Sequence, residues 1–334
     1  MTFALSFLDK SPLDGAEIAE AALRRTLDLA RKAEELGFVR FWVAEHHNAA
    51  RLAGSSPEVL IAFLLARTRR IRIGSGGVML QHYSAYKVAE NFNLLASLAP
   101  GRVDLGVGKA PGGLPFSTRA LQSFHDPDRK PSFEAQLAEL DGYLQPHGDD
   151  GAPERELAAF PSPPEPADRF LLGASVESAR LAARLGWYYV HAAHINGDET
   201  AIAQALSTYR AYGGVRPLLA VNVVVAETDQ LAEDLAADPR RFRVELENGE
   251  GVNVTTRQQA LEYVRQIGTD RYRIEERGAL FVRGSPARVH AELSRLHRIF
   301  GVDEFVVECP VTEAAPRLDT IELLAAAAGL RLAA

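Results

Sequence analysis

The chain has 334 residues, 47% of them hydrophobic, and a formal net charge of −7, enough for one large α/β domain or two ordinary ones around a substantial core. The acid excess leaves no basic stripe to displace phosphate counterions, which argues against non-specific nucleic-acid binding and points to small-molecule chemistry. Cys309 is the single cysteine, so no intramolecular disulfide can form. The N-terminal MTFALSFLDKSP lacks the basic flank and apolar core of a signal peptide, and no membrane-length apolar run occurs, so a soluble cytoplasmic protein is expected.

In chain order, Phe3 to Leu8 reads as a first strand that ends at Asp9, Lys10, Ser11 and Pro12. Glu17 to Leu36 follows as an amphipathic helix, with Ala22, Leu29, Ala33 and Leu36 at helical spacing and Gly37 as its stop. The second unit opens with the strand FWVAEHH, Phe41 to His47, and restarts as a helix at Ser56 and Pro57, a natural N-cap and first helical position. Strand Ile71 to Leu80, helix Lys87 to Ala99 and strand Arg102 to Gly108 continue the alternation.

A helix from Phe133 and a Pro-rich stretch from Pro161 to Pro166 lead to strands Phe170 to Ser175, Tyr188 to His194 and Pro217 to Ala226, separated by helices. From Asp238 to Gly284 the chain turns polar and is expected to form an insertion, helical from Thr256 to Gly268. Helix Pro286 to Phe300, strand Glu304 to Pro310 and helix Ala315 to Ala328 close the pattern. Strands alternating with helices imply a single α/β domain, a closed (β/α)₈ TIM barrel over residues 1–334 with an insertion after the seventh strand; an open doubly wound sheet is the alternative.

Four stretches fall at strand ends, where barrel enzymes keep their chemistry. Glu45, His46 and His47 offer an acid, a base and potential metal ligands. Adjacent strand residues point to opposite sides, however, so a metal would need His82, His191 or His194 as well, and no metal is expected. Read alone, the pair better suits one histidine packed under a loop and the other solvated. The glycines of IGSGGVML let a flat ligand approach the main chain, or form a plain turn. In GVGKAPGG the glycine spacing departs from a dinucleotide fingerprint, while Lys109 could pair with a phosphate or be a surface charge. Ser175, Val176, Glu177 and Ser178 begin a helix whose free N–H groups suit an anion, or make an ordinary cap. A base, a flat platform and a phosphate cradle at one barrel mouth suit a flavin mononucleotide.

With AEHHN at Ala44 to Asn48, IGSGGVML at Ile73 to Leu80, AENFNLLASLAPGRVDLGVGKAPGG at Ala89 to Gly113 and LLGASVESARLAARLG at Leu171 to Gly186, the sequence resembles the bacterial luciferase-like flavin monooxygenases over essentially its full length. The resemblance implies FMN at the C-terminal face of the barrel, with His46 as the catalytic histidine and His47 shaping the pocket. It implies a cis peptide at Gly76-Gly77 under the ring, and phosphate contacts from Lys109, Ser175, Val176, Glu177 and Ser178. It further implies reduced FMN supplied by a separate FMN reductase, oxidation of a small organic substrate through a flavin C4a-peroxide, a lid at 238–284, and a homodimer through the helices after the second and third strands.

Two positions depart from the family pattern: Lys109 stands where Arg is usual, exchanging a bidentate fork for a point charge, and Gly108 stands where luciferase has a reactive cysteine. Rival expectations are a deazaflavin-dependent dehydrogenase on the same barrel, a non-catalytic flavin-binding subunit, and a metal-dependent hydrolase, for which no carboxylate set is evident.

Overall fold

The computed structural model describes residues 3–126, 130–145, 157–236 and 238–330. Eight parallel strands close a barrel: β1 (Ala4–Asp9), β2 (Arg40–Val43), β3 (Arg72–Ser75), β5 (Val103–Gly108), β6 (Asp168–Gly173), β7 (Tyr188–Ala192), β8 (Leu218–Val225) and β13 (Glu304–Glu308). Closure comes from β8, which pairs with β13 through Val306↔Ala220 and with β7 through His191↔Leu219. A two-residue strand, β4 (Val78–Met79), continues beside β5 after β3 ends. The crossovers are α1 (Ala19–Leu36), α2 (Pro57–Leu65), α3 (Ala85–Leu98), α4 (Pro115–Leu121), α5 (Phe133–Tyr143), α6 (Val176–Leu185), α7 (Glu199–Ala211), α10 (Pro286–Phe300) and α11 (Ala314–Ala327).

The period-two alternation of each strand sorts its side chains between two cores. Leu8, Trp42, Ala44, Phe170, Val190, Leu218, Ala220 and Val306 meet inside the barrel. Phe7, Phe41, Val43 and Val307 face outward under the helices. At the N-terminal end the fully buried Asp104 accepts from Trp42 Nε1 at 2.9 Å, Arg40 Nη1 at 3.1 Å and Arg72 Nε at 2.8 Å. That polar floor leaves the opposite end for chemistry. Among the described residues no helix is long and apolar enough to cross a membrane.

Two strand ends differ from the sequence reading. β2 stops at Val43 rather than running to His47, because the next backbone donors go to loops: His46 N–H to Gly54 O at 3.0 Å and His47 N–H to Gly112 O at 2.8 Å. The expected strand Ile71 to Leu80 breaks at a cis Gly76–Gly77 peptide and ends in a 3₁₀ turn, Leu80–His82.

The insertion after β8 opens with α8 (Asp229–Leu235). It then folds as an antiparallel sheet of β9 (Arg240–Leu246), β10 (Gly251–Val254) and β11 (Tyr272–Gly278) around α9 (Arg257–Ile267), with its own apolar cluster of Phe242, Val244, Val252, Ala260 and Val264. Charged residues alternate through RRFRVEL and YRIEERG, which masks those strands in the sequence. The last stretch, β12 (Phe281–Gly284), belongs to the barrel sheet, pairing in parallel with β8 from Phe281↔Asn222 to Gly284↔Val225.

Candidate active site

Two positions beyond the interior core residues Leu8, Ala44, Ala220 and Val306, the same alternation aims Lys10, His46, Asn222 and Glu308 at the C-terminal mouth. His194, just past β7, joins them, its Nε2 3.8 Å from Glu308 Oε2. Lys10 Nζ forms a direct ion pair with Glu308 Oε1. Buried side-chain atoms without a hydrogen-bond partner gather in this layer: His46 Nδ1, His194 Nδ1, Asn222 Oδ1 and Glu308 Oε2. Orphaned buried polar atoms are costly, by about 1–3 kcal/mol each, so their concentration in one layer marks a place built to receive a ligand.

On the other side of the mouth stand glycines. A Cβ on Gly77 would come 2.7 Å from Gly106 O, and one on Gly106 would come 2.1 Å from Ser75 O, so backbone packs on backbone there. A Cβ on Gly108 would meet only Met79 Sδ, at 3.9 Å. Main chain thus packs on main chain where β3, β4 and β5 meet, and of these glycines Gly108 is the one with open space beside it.

His47 does not face the same way as His46. Its Nε2 donates to Glu45 Oε1 at 2.7 Å, and the fully buried Glu45 also accepts from the Tyr83 hydroxyl at 2.7 Å and from Met79 N–H at 3.0 Å. Glu45 therefore positions His47 and ties it to the segment after the cis peptide. Burial, with the Glu45 carboxylate beside it, pushes the Tyr83 hydroxyl far up, so it stays a donor.

Burial pushes His46 down to about 4, with the Lys10 charge adding and Glu308 opposing. His194 is likewise pushed to about 4 by burial against the pull of Glu308. Burial also takes His191, outside the barrel wall beside Tyr189, to about 4. For Glu308 burial works to raise the carboxyl, but the charges around it, Lys10 foremost through its field and its hydrogen bond, together hold the group at about 2. His194 is neutral at pH 7, so Lys10 and Arg241 carry that effect.

These shifts give stability a pH dependence. The unfolded chain protonates its histidines near 6.5, whereas His191 and His194 stay neutral in the fold to about 4, so stability is full above 6.5 and is lost as pH falls toward 4. For these two groups the loss is about 3 kcal/mol per pH unit within that window. Urea midpoints measured at pH 7, 6 and 5 should fall steadily; a flat profile would show that neither ring is held neutral.

The phosphate-cradle residues lie at neighbouring strand ends. Gly108 pairs with Leu172, so Lys109 and the start of α6 emerge side by side. Lys109 is exposed. Ser175 caps α6, its Oγ accepting from Ser178 N–H at 3.2 Å. Its own backbone N–H and the Ser175 hydroxyl keep the Glu177 carboxyl below the usual range, so the helix start already carries one anion. Arg180 adds to that lowering, so a cation already stands beside the Glu177 carboxylate.

The insertion reaches both sides of the mouth. Phe116 N–H of α4 donates to Gln266 Oε1 of α9 at 2.9 Å, while Gly197 N–H, after β7, donates to Gly278 O at 2.8 Å. Among the described residues no group of three His, Cys, Asp or Glu side chains is arranged to hold a metal ion; His82, a possible ligand by sequence, instead bonds Pro111 O at 2.8 Å and lies 2.8 Å from the Gln122 amide.

The model of the luciferase-like monooxygenases matches residues 1–302. The chain belongs to that family. The N-acetyl-S-alkylcysteine monooxygenase of Bacillus subtilis (strain 168) is 43% identical to it over 329 residues, 96% of each chain. The crystal structure of apo-MsnO8 superposes with a TM-score of 0.79 at 34% identity, covering 99% of this chain and 100% of that one. At 17% identity and a TM-score of 0.67 over 97% of each chain, the FMN-bound oxygenating constituent of 3,6-diketocamphane monooxygenase from Pseudomonas putida shares the fold.

In this luciferase-like monooxygenase the structure brings His46 to the mouth, turns His47 onto Glu45, and sets Gly76 and Gly77 in the cis turn between β3 and β4. The sequence reading gave Glu45 little weight and assigned no role to Tyr83, Asn222, Glu308 or Arg241. A signal for one of them was present, since Glu308, like Lys10, is a charged residue closing a largely apolar stretch, FVVE and FLDK.

Proposed function

We propose that this luciferase-like monooxygenase binds FMN and uses reduced FMN from a separate reductase, with O₂, to oxidise a small organic sulfide of the N-acetyl-S-alkylcysteine class. The observation that carries the reading is the layer of unpartnered buried polar atoms around His46 at the mouth of a barrel that also carries the cis Gly76–Gly77 peptide. Bound reduced FMN supplies two electrons, so that one atom of O₂ enters the substrate and the other leaves as water. His46, neutral at pH 7 with a free Nδ1, accepts or donates a proton at that nitrogen. Glu45 orients His47 against the wall, and the 238–284 insertion excludes water as a lid.

Titration with FMN, reduced FMN and the deazaflavin, followed by oxygen uptake with N-acetyl-S-ethylcysteine, tests the reading. FMN binding and sulfide-dependent oxygen consumption are expected, and tight binding of the deazaflavin alone would overturn it. Lys109→Ala should weaken FMN about tenfold and riboflavin hardly at all, since a single exposed phosphate contact is lost; equal effects on both would remove Lys109 from the cradle.

A homodimer is supported by Val59 and Phe63 of α2 and Leu94 and Leu98 of α3, all exposed, with Leu98 71% accessible. The double change Phe63→Glu, Leu98→Glu should give a monomer by light scattering, and an unchanged mass would place the interface elsewhere.

A further inference from the structure

Arg241, on β9, is a side chain that the insertion contributes beside the mouth. Phe242 and Val244 turn into the insertion's own core, so the alternation points Arg241 the other way. Only 9% of its surface is exposed. Nη1 donates to the carbonyls of Asp238 at 3.0 Å and Arg240 at 2.9 Å. Among the described residues no carboxylate oxygen comes within the 4.0 Å of an ion pair with it. Arg240 pairs with Gly278, and the next two residues bond across to Pro239 O (Ala279 N–H, 2.9 Å) and to Ala193 O (Leu280 N–H, 2.8 Å), so β9 begins beside His194 at the polar half of the mouth, where Glu308 and His194 both feel the Arg241 charge. The one carboxylate there, Glu308, is already engaged by Lys10. The buried Arg241 and the partly exposed Lys10 face one buried carboxylate, and Asp238, the other anion near Arg241, is exposed and paired with Arg240, so the buried guanidinium has no anion of its own, an arrangement that desolvation penalises unless a ligand supplies one. A guanidinium is also the side chain whose geometry matches a carboxylate with two parallel donors.

We infer that Arg241 is a specificity-determining residue that binds the carboxylate of the organic substrate, so that this enzyme takes organic acids in preference to their neutral esters. The inference rests on the sulfide reading for the substrate's identity but not for the anion site itself.

Calorimetry on the FMN-loaded protein tests it, with N-acetyl-S-ethylcysteine, its methyl ester, and hexanoate as a sulfur-free acid. The acid should bind at least tenfold more tightly than the ester. Arg241→Gln should abolish that preference while leaving ester binding within twofold, and Arg241→Lys should retain most of it. Equal binding of acid and ester by the unaltered protein, equal weakening of both by Arg241→Gln, or failure of both acids to bind would each overturn the inference. Hexanoate separates this outcome from the failure of the sulfide reading. If it binds through Arg241 while N-acetyl-S-ethylcysteine neither binds nor drives oxygen uptake, the anion site stands and the sulfide assignment falls. Sulfide oxidation without acid preference removes the anion site alone.

Discussion

His46→Ala should lower kcat for sulfide oxidation by about 10²–10⁴-fold, the usual value of a positioned proton-transfer group, while FMN affinity changes less than threefold. Several features of the site lead to that expectation. The backbone N–H of His46 is fixed on Gly54 O, its Nδ1 is enclosed and unpartnered, and the ring is neutral because burial and Lys10 push it down to about 4. Among the described residues no hydrogen bond links His46 to the helix start at Ser175 or to Lys109, so a phosphate cradle should not register its loss. Rapid-mixing kinetics with prereduced FMN, alongside equilibrium titration of FMN, separate the two quantities. A large fall in FMN affinity with little change in kcat would make His46 a binding residue. His47→Ala should behave differently, because it strips a partner from the fully buried Glu45 and so acts on stability, by about 1–3 kcal/mol, as well as on rate.

The largest expected effect on stability is Arg317→Ala, at about 3–5 kcal/mol, the range for breaking a buried ion pair on one side. Arg317 is 1% exposed and donates to Asp9 Oδ1 at 2.5 Å, to Cys309 O at 2.6 Å and to Val311 O at 2.7 Å. Asp9, also 1% exposed, accepts from Thr26 Oγ1 at 2.5 Å through its other oxygen. The cluster pins the C-terminal ends of β1 and β13 to α1 and α11, one position from the residues Lys10 and Glu308 that form the polar half of the mouth. A paired change to apolar residues should recover only part of the loss, since the carbonyls of Cys309 and Val311 remain without a donor. Urea denaturation checks both variants; a cost under 1 kcal/mol for Arg317→Ala would show that water reaches the cluster.

The barrel was legible because each strand carries its apolar residues with the right period and each helix announces its ends, as Ser56-Pro57 and Gly37 do. The insertion's helix was legible for the same reason, with Thr256 and Gln259 forming a capping box. Its sheet was not, because β9 and β11 read Arg-Arg-Phe-Arg and Tyr-Arg-Ile-Glu, and their pairing satisfies backbone groups that local sequence cannot count. Nor was the return of Phe281–Gly284 to the barrel, which depends on β8 running long enough to offer Asn222 to Val225 as partners.

For the site, the sequence by itself determined which chemistry-bearing residues leave the barrel at strand ends: Lys10, His46, His47, the glycines at 76 and 77, Lys109 and the cap at Ser175. Period-two alternation and capping are local rules, so they can be read along the chain. Only the tertiary structure decided how those residues divide. Parallel register places Lys10 beside Glu308, some 300 positions away, leaves His46 unpartnered in the mouth while Glu45 takes His47, and lays Arg241 over a cluster short of one anion. Charge balance and hydrogen-bond satisfaction are sums over neighbours in space, and the barrel's closure chooses those neighbours.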